Sequence, residues 1–327
     1  MHILHIWDQA GVACIFAAYQ HQQGHKSKVI ITGDQDKYGI IKFYKDYVVW
    51  VSEQEFFEKC IEEASQADII HIHSLINVLF KIRKKFGRSK KIILHYHGTD
   101  IRGTRQAMER STSQSNFAYA IFLKVKRRAR RLLRNRRHLK AQRLADAVIV
   151  STPDLLQWVT NSTYLPNPVD IDHFKPCSIN EKRKNALTLK TEVTDTPKAL
   201  DYCKKNNINL DIEVYDRAQS PIMYADMPNF LREYTVYVDI KYVNNIVLQA
   251  LSKTGLEALA CGLKVLNYRL EYLQGLPIEH DPKNVISCLS NIYSEKRSMV
   301  YSVSSFFTCI LLDFIYLAYA SIKSLKS

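Results

Sequence analysis

The chain has 327 residues, 46% hydrophobic and 24% charged, which is typical of a globular protein and long enough for two α/β domains. It carries 46 lysines and arginines against 32 acidic residues, and the formal charge of +14 indicates an anionic partner: a nucleotide phosphate, an anionic lipid or a nucleic acid. The seven cysteines are odd in number and form no CxxC pair, which argues against a disulfide framework or a zinc site and favours a reducing cytoplasm. Because the first predicted strand begins almost at Met1, we expect no cleaved signal peptide.

Apolar runs alternate with helical segments along the first half of the chain. Strands are predicted over 3–6, 28–32, 69–73, 92–95 and 148–150, and helices over 13–23, 53–65 and 78–86. This alternation is typical of a parallel, doubly wound sheet, in which ligands bind beyond the carboxyl ends of the strands. His73, His97 and Ser151 fall at that edge. We expect His71 and His73 to point to opposite sides of their strand, so that one packs and His73 is the site candidate, and we expect His95 to be structural.

A linker is predicted at Pro166-Asn167-Pro168, with the domain boundary near Asp170. Strands at 186–190, 210–214 and 235–240, with helices at 197–206 and 227–232 and a third one carrying Glu257, predict a second and smaller α/β unit. The predicted domains are therefore 1–168, 169–297 and an apolar C-terminal helix over 298–327. Asp313 and a row of small polar residues favour packing of that helix on the protein, or in a membrane interface, over a true membrane span.

Five motifs carry a family resemblance: His71-Ile72-His73, His97-Gly98-Thr99-Asp100, Ser151-Thr152-Pro153-Asp154, Leu165-Pro166-Asn167-Pro168-Val169-Asp170 and Leu256-Glu257-Ala258-Leu259-Ala260-Cys261-Gly262. In this order and spacing the chain resembles the retaining nucleotide-sugar glycosyltransferases of the two-Rossmann (GT-B) type, fourth family, particularly archaeal members. The resemblance implies two Rossmann-like parallel-sheet domains with an inter-domain cleft. It implies transfer of a hexosyl unit, with retention, from a nucleotide-diphospho-sugar to a hydroxyl acceptor, and no further cofactor.

The resemblance also assigns candidate residues. Glu257 would bind donor hydroxyls, and His97 would contact the sugar. Helix-start N–H groups can hold a phosphate, and the side chains of Ser252, Lys253 and Thr254 would add donors to the diphosphate. Three plainer interpretations remain open: an ordinary loop–helix–strand turn around Glu257, a satisfied loop-end histidine at 97, and a plain β–α turn at Gly11.

The donor half departs from the family pattern. Of two glutamates separated by seven residues, Glu257 matches the second, but the first is Gln249, an uncharged and weaker sugar contact. The usual glycine-arginine after the second domain's first strand is missing, and Lys190 or Lys253 would have to stabilise the departing diphosphate. Gly11 would allow close backbone approach to the donor. No metal is expected to be required, because the resemblance implies a retaining transfer in which the leaving diphosphate itself takes the acceptor proton.

A strongly basic segment over 118–143 repeats apolar residues at helical spacing and predicts an amphipathic helix on an anionic membrane surface. A solvated helix face and a nucleic-acid site are the alternatives, the latter without any groove-reading motif. We therefore expect a cytoplasmic enzyme, peripheral at the inner face of the cell membrane, whose acceptor is lipid-linked or a glycan. The main alternative is a non-catalytic GT-B-fold binding or partner subunit at the membrane surface.

Overall fold

The computed structural model describes residues 1–32, 36–102, 133–176, 184–191, 194–243 and 246–295, and residues 1–294 form one compact unit. Most of the predicted basic helix, residues 118–132, and the apolar segment 298–327 lie outside the described residues. None of the described helices is both long and apolar enough to cross a bilayer.

The first lobe is built on seven parallel strands in the order β3-β2-β1-β4-β5-β6-β7. They are β1 His2–Ile6, β2 Lys26–Thr32, β3 Val48–Val51, β4 Ile69–His73, β5 Lys91–Tyr96, β6 Ala147–Val150 and β7 Thr163–Tyr164. The helices are α1 Val12–Gln22, α2 Ile40–Phe43, α3 Phe56–Gln66, α4 Ile76–Phe86, α5 Thr99–Arg102 and the helical residues 133–144, here α6. Helices cover both faces of the sheet, so its central strands are buried throughout, which is why they read as continuous apolar runs.

The second lobe has a five-stranded sheet in the order β14-β13-β10-β8-β9, parallel except for the β13–β14 pair. Its strands are β8 Lys184–Lys190, β9 Ile212–Asp216, β10 Tyr234–Val238, β13 Lys264–Leu266 and β14 Tyr272–Leu273, with a small hairpin of β11 Tyr242–Val243 and β12 Ile246–Val247. The helices are α7 Thr196–Lys205, α8 Met227–Arg232, α9 Lys253–Ala260 and α10 Pro282–Ser294. The predicted two-domain α/β class is confirmed.

Two details of the predicted strands differ from the structure. The strand expected at 210–214 lies at Ile212–Asp216, because a period-two pattern fits either position and only pairing of Ile212 with Ala186 on β8 fixes it. The edge strand β3 received no prediction; it pairs with β2, and its residues are only partly covered.

The prediction that His71 and His73 point to opposite sides of their strand is wrong. Side chains alternate along a strand, so residues two apart share a face, and the two rings stack 4.4 Å apart. In the sheet His71 pairs with His5 and His73 with His95, which places all four side chains on the face covered by α1.

The last described helix, α10, returns to the first lobe. Its Tyr293 hydroxyl lies 2.9 Å from Nδ1 of His71, and the Lys91 ammonium donates to the Tyr293 carbonyl. The sequence assigns 282–297 to the second domain, but Tyr293 is part of the packing of the first.

Candidate functional site

The two lobes meet at the linker, and the first turn of α9 faces it. Lys253 opens that helix and donates to the Pro168 carbonyl. Its ammonium lies 3.8 Å from a carboxylate oxygen of Glu257, one turn later, and the two side chains are only 12% and 7% exposed. A buried ion pair of opposite sign therefore lies at the lobe junction, on the helix that the sequence singled out.

Burial and charge act against each other in this pair. Burial lowers the pKa of Lys253, while the nearby carboxylates of Glu257, Asp170 and Asp8 favour its charged form. Burial raises the pKa of Glu257, opposed by the positive charges of Lys253 and Arg217. Charged groups that are buried in this way are typical of functional sites, because a ligand that binds to them displaces few water molecules.

The N-terminus of α9 is closed by Asp239, which follows β10. The backbone N–H and hydroxyl of Ser252 donate to its two carboxylate oxygens at 2.6 and 2.5 Å. Ser252 Oγ in turn caps the helix by accepting from the Gly255 N–H at 3.1 Å. Both donors that Ser252 would offer to a diphosphate are thus engaged by a carboxylate, so that predicted contact requires Asp239 to release them.

A similar arrangement closes the start of α1 in the first lobe. The Asp8 carboxylate accepts the backbone N–H groups of Gly11, Ala13 and Cys14 at 2.6, 2.8 and 3.2 Å. Gly11 has φ +83°, and a Cβ there would lie 3.3 Å from a methyl of Ile40. The position therefore needs glycine for its left-handed backbone; its close approach to a donor stays a prediction.

Three segments meet at a hydrogen-bonded pair of tyrosines. Tyr44, after α2, donates to the Asp170 carboxylate in the linker at 2.6 Å and lies 3.1 Å from the Tyr224 hydroxyl of the second lobe. Burial, followed by neighbouring charge that includes Glu257, raises the pKa of Tyr224 well above its usual value. Burial also raises the pKa of Tyr44, so both phenols stay protonated. Since Tyr44 donates to Asp170, Tyr224 donates to Tyr44.

Arg217, just after β9, supplies a second cation at this junction. Its guanidinium stacks 3.9 Å from the centre of the Tyr38 ring in the first lobe and donates to the Ile222 carbonyl at 3.3 Å. The buried Nε atom has no hydrogen-bond partner within the described part of the chain. An arginine with unused donor capacity next to Glu257 is suited to bind a phosphate.

His97 lies half-buried at the end of β5. Its Nε2 is 2.9 Å from Nδ1 of His73, and its Nδ1 is 3.0 Å from the Ser151 hydroxyl. Burial lowers the pKa of His97 to about 4, with Asp100 acting in the opposite direction. The imidazole is therefore neutral at pH 7 with both nitrogens engaged, and the predicted sugar contact would need Ser151 to turn away.

The remaining predicted residues lie around this centre. Gln249 is exposed in the loop after β12, and Thr254 is partly buried in the first turn of α9. Lys190, offered with Lys253 as a replacement cation, is exposed and pairs with Asp216 at 2.8 Å. Of the two lysines, only Lys253 reaches the junction.

Sequence reasoning missed Arg217, Tyr44, Tyr224 and the carboxylate of Asp170. Arg217, Tyr44 and Tyr224 belong to no spaced motif, Asp170 belongs only to the linker motif, and each reaches the junction from a different segment. The one available signal was the position of Arg217 directly after a strand. The predicted strand ended two residues too early, at 214, and so did not place Arg217 at its end.

Two Rossmann-like lobes, a linker between them and a last helix that returns to the first lobe together form the GT-B fold. Among solved structures, the chain is similar to the Anabaena protein HepE in complex with UDP, at 12% identity over 90% of this chain and 93% of that one, with a TM-score of 0.52. It is also similar to an alpha-glucosyltransferase in complex with UDP and a 13-mer DNA, at 12% identity over 96% and 99% of the two chains, with a TM-score of 0.51. No protein-family model and no curated protein matches the chain.

Proposed function

We propose that this protein is a nucleotide-sugar-dependent glycosyltransferase that moves a hexosyl unit, with retention, from a nucleotide-diphospho-sugar to a hydroxyl acceptor. The observation that carries the proposal is the buried Lys253–Glu257 pair at the lobe junction of a GT-B fold. The bound UDP in both similar structures supports a uridine nucleotide as the first donor to test.

In the proposed mechanism the protein supplies position and charge. Lys253 and Arg217 offset the negative charge that grows on the departing diphosphate, and the leaving oxygen takes the acceptor proton. The Glu257 carboxylate accepts hydrogen bonds from donor hydroxyls. Ser252, Thr254, Gln249, Gly11 and His97 complete the proposed donor contacts.

A lipid-linked acceptor is the second part of the proposal, and α6 supports it. The helix buries Ala141 and exposes five basic residues together with two leucines, Leu133 at 60% and Leu139 at 48%. Arg134, Arg137 and His138 of α6 line one surface pocket together with Asn77 at the start of α4. Exposed leucines among arginines favour an anionic membrane surface, where each basic residue contributes about 1 kcal/mol.

The test is hydrolysis and transfer by the purified chain across a panel of donors, with vesicles that carry a polyprenyl-phosphate or glycolipid acceptor. We expect turnover with one donor, reduced at least about 100-fold in Lys253→Met and in Glu257→Gln because each removes charge from the transition state. Lys264→Met is the matched control and should retain activity, because Lys264 is an exposed lysine at the amino end of β13.

Two outcomes would overturn the proposal. If no donor gives either turnover or a thermal shift, the alternative of a non-catalytic binding subunit is supported instead. Donor-independent binding of oligonucleotides that weakens steeply with salt, together with no binding to vesicles, would instead indicate a nucleic-acid-binding protein.

A further inference from the structure

Five histidines form one buried cluster in the first lobe: His5 on β1, His71 and His73 on β4, and His95 and His97 at the end of β5. The first four are fully buried against Phe16 of α1 and Tyr293 of α10. Such a concentration of imidazoles is not needed for packing, since aliphatic residues fill a core without polar atoms that require partners.

We propose that His73, His95 and His97 form a binding site for a divalent transition-metal ion, of which Zn²⁺ is the expected occupant. Each offers one nitrogen, and these three atoms lie within 4.8 Å of one another. The inference rests on the histidine cluster alone and does not depend on the proposed transferase activity.

Each of the three rings is held by one nitrogen and offers the other. Nε2 of His73 lies 3.2 Å from His5, and Nδ1 of His97 lies 3.0 Å from the Ser151 hydroxyl. His95 is held at Nδ1 by His71, 3.2 Å away, and its Nε2 has no hydrogen-bond partner within the described residues. Metal-binding histidines characteristically have their second nitrogen fixed in this way by an outer partner.

The hydrogen-bond chain behind His73 sets its tautomer. The Gln20 carbonyl accepts from the Ser27 hydroxyl at 2.7 Å, so it also accepts from His5 Nε2 at 2.9 Å. Nδ1 of His5 is then unprotonated, and its lone pair accepts a hydrogen bond from the Nε2–H of His73. The remaining nitrogen of His73, Nδ1, is therefore unprotonated and faces Nε2 of His97 at 2.9 Å.

Ser151 lets His97 adopt either tautomer. In the metal-free protein its hydroxyl donates to Nδ1 of His97, and the Nε2–H of His97 donates to His73. The Ser151 hydroxyl can instead donate to the Tyr96 carbonyl, 2.9 Å away, and its oxygen then accepts the Nδ1–H of His97. In that tautomer the Nε2 lone pair of His97 is free to bind a metal. Neither His73 nor His97 therefore has to lose a proton. In the metal-free form the buried His95 Nε2 has no hydrogen-bond partner among the described residues, and a metal ion would give it one.

The geometry and charge of the site suit such an ion. With Zn–N bonds of about 2.0–2.1 Å, tetrahedral ligand atoms lie about 3.3 Å apart, so ring shifts on the order of 1 Å would form the site. Neutral imidazole is the state that binds metal, and burial lowers the pKa values of His73 and His95 well below the usual value. The Asp100 carboxylate, held by the N–H groups of His97, Gly98 and Ile101 at 2.8–3.1 Å, supplies compensating negative charge.

The second histidine triplet, His5, His71 and His73, is the weaker candidate. All six of its ring nitrogens already have hydrogen-bond partners, so binding there would break contacts without satisfying an unpaired atom.

The experiment titrates the full chain, freed of metal by a chelator, with Co²⁺ and then with Zn²⁺ as competitor. We expect one ion per chain, a visible d–d spectrum without a thiolate charge-transfer band, and a higher melting temperature with Zn²⁺. His95→Gln should weaken binding at least about 100-fold, and Ser151→Ala, which removes an outer partner, about 10–100-fold. His21→Gln, at an exposed histidine, is the control.

Circular dichroism checks that each variant is folded. If His95→Gln fails to fold, the metal affinities of Ser151→Ala and of the parent chain test the site instead. No uptake of either ion by the parent chain would overturn the site, and so would a thiolate band, which would place the metal on cysteine. Parent-like affinity in a folded His95→Gln would overturn it as well.

Discussion

The residues that define the lobe junction carry opposite charges that water barely reaches. The charges of three carboxylates favour the charged form of Lys253, yet burial still lowers its pKa, because the site is strongly desolvated. Removing one partner of such a pair leaves the other charge buried and uncompensated, at a cost of about 3–5 kcal/mol. Loss of activity in Lys253→Met must therefore be read together with a stability measurement.

The buried histidines predict a pH dependence of stability in metal-free protein. Burial lowers the pKa of His5 from 6.5 to about 4, and it also lowers the pKa of His71. Between the folded and unfolded pKa values the unfolded chain binds more protons, so stability falls as pH drops below about 6.5 toward 4. Each titrating histidine contributes about 1.4 kcal/mol per pH unit.

Urea unfolding from pH 7.5 down to pH 5, with chelator present, measures this effect. A His5→Gln variant should show a shallower loss of stability than the parent chain, and His21→Gln an unchanged one. Equal stability across that range would contradict the prediction, because it would mean that the histidines take up protons as readily in the folded protein as in the unfolded chain.

At the scale of elements, α9 depends on a glycine. A Cβ at Gly255 would overlap the Asp239 carboxylate that holds Ser252 and so fixes the start of the helix. The same carboxylate accounts for the position of the first turn, and hence for that of Lys253. A side chain at 255 would displace Asp239 and loosen the N-terminus of α9.

We therefore expect Gly255→Ala to destabilise the protein by about 1–3 kcal/mol, as overpacking does. In an Asp239→Ala background the same change should cost little or stabilise, since alanine favours a helix over glycine by about 1 kcal/mol. A double-mutant cycle by urea unfolding measures the coupling. Additive effects would mean that the carboxylate moves aside without cost.

At the scale of the whole molecule, exposed basic residues of α6 carry part of the net charge of +14. Binding to anionic vesicles is expected to weaken with salt, because exposed charges are screened. Reversing Arg134, Arg137 and Lys140 to glutamate should abolish sedimentation with such vesicles, while Lys264→Glu should leave it nearly unchanged. Salt-insensitive binding would point to an apolar contact instead.

Local sequence accounts for the fold class. Apolar runs such as 69–73 and the helix that begins near residue 13 report burial through their own periodicity, and the linker prolines interrupt any helix. The sequence predicts His73 and His97 as site candidates and His71 and His95 as packing residues, but the convergence of these histidines depends on the pairing of β1, β4 and β5.

The sequence by itself determined the two-lobed α/β class and the helix that carries Lys253 and Glu257, because each follows from patterns within one segment. Only the tertiary structure decided that Asp239 engages Ser252, that Arg217, Tyr44 and Tyr224 join the junction, and that α10 returns to the first lobe. Those contacts join residues far apart in the chain, and strand register and packing, which a local pattern does not encode, bring them together.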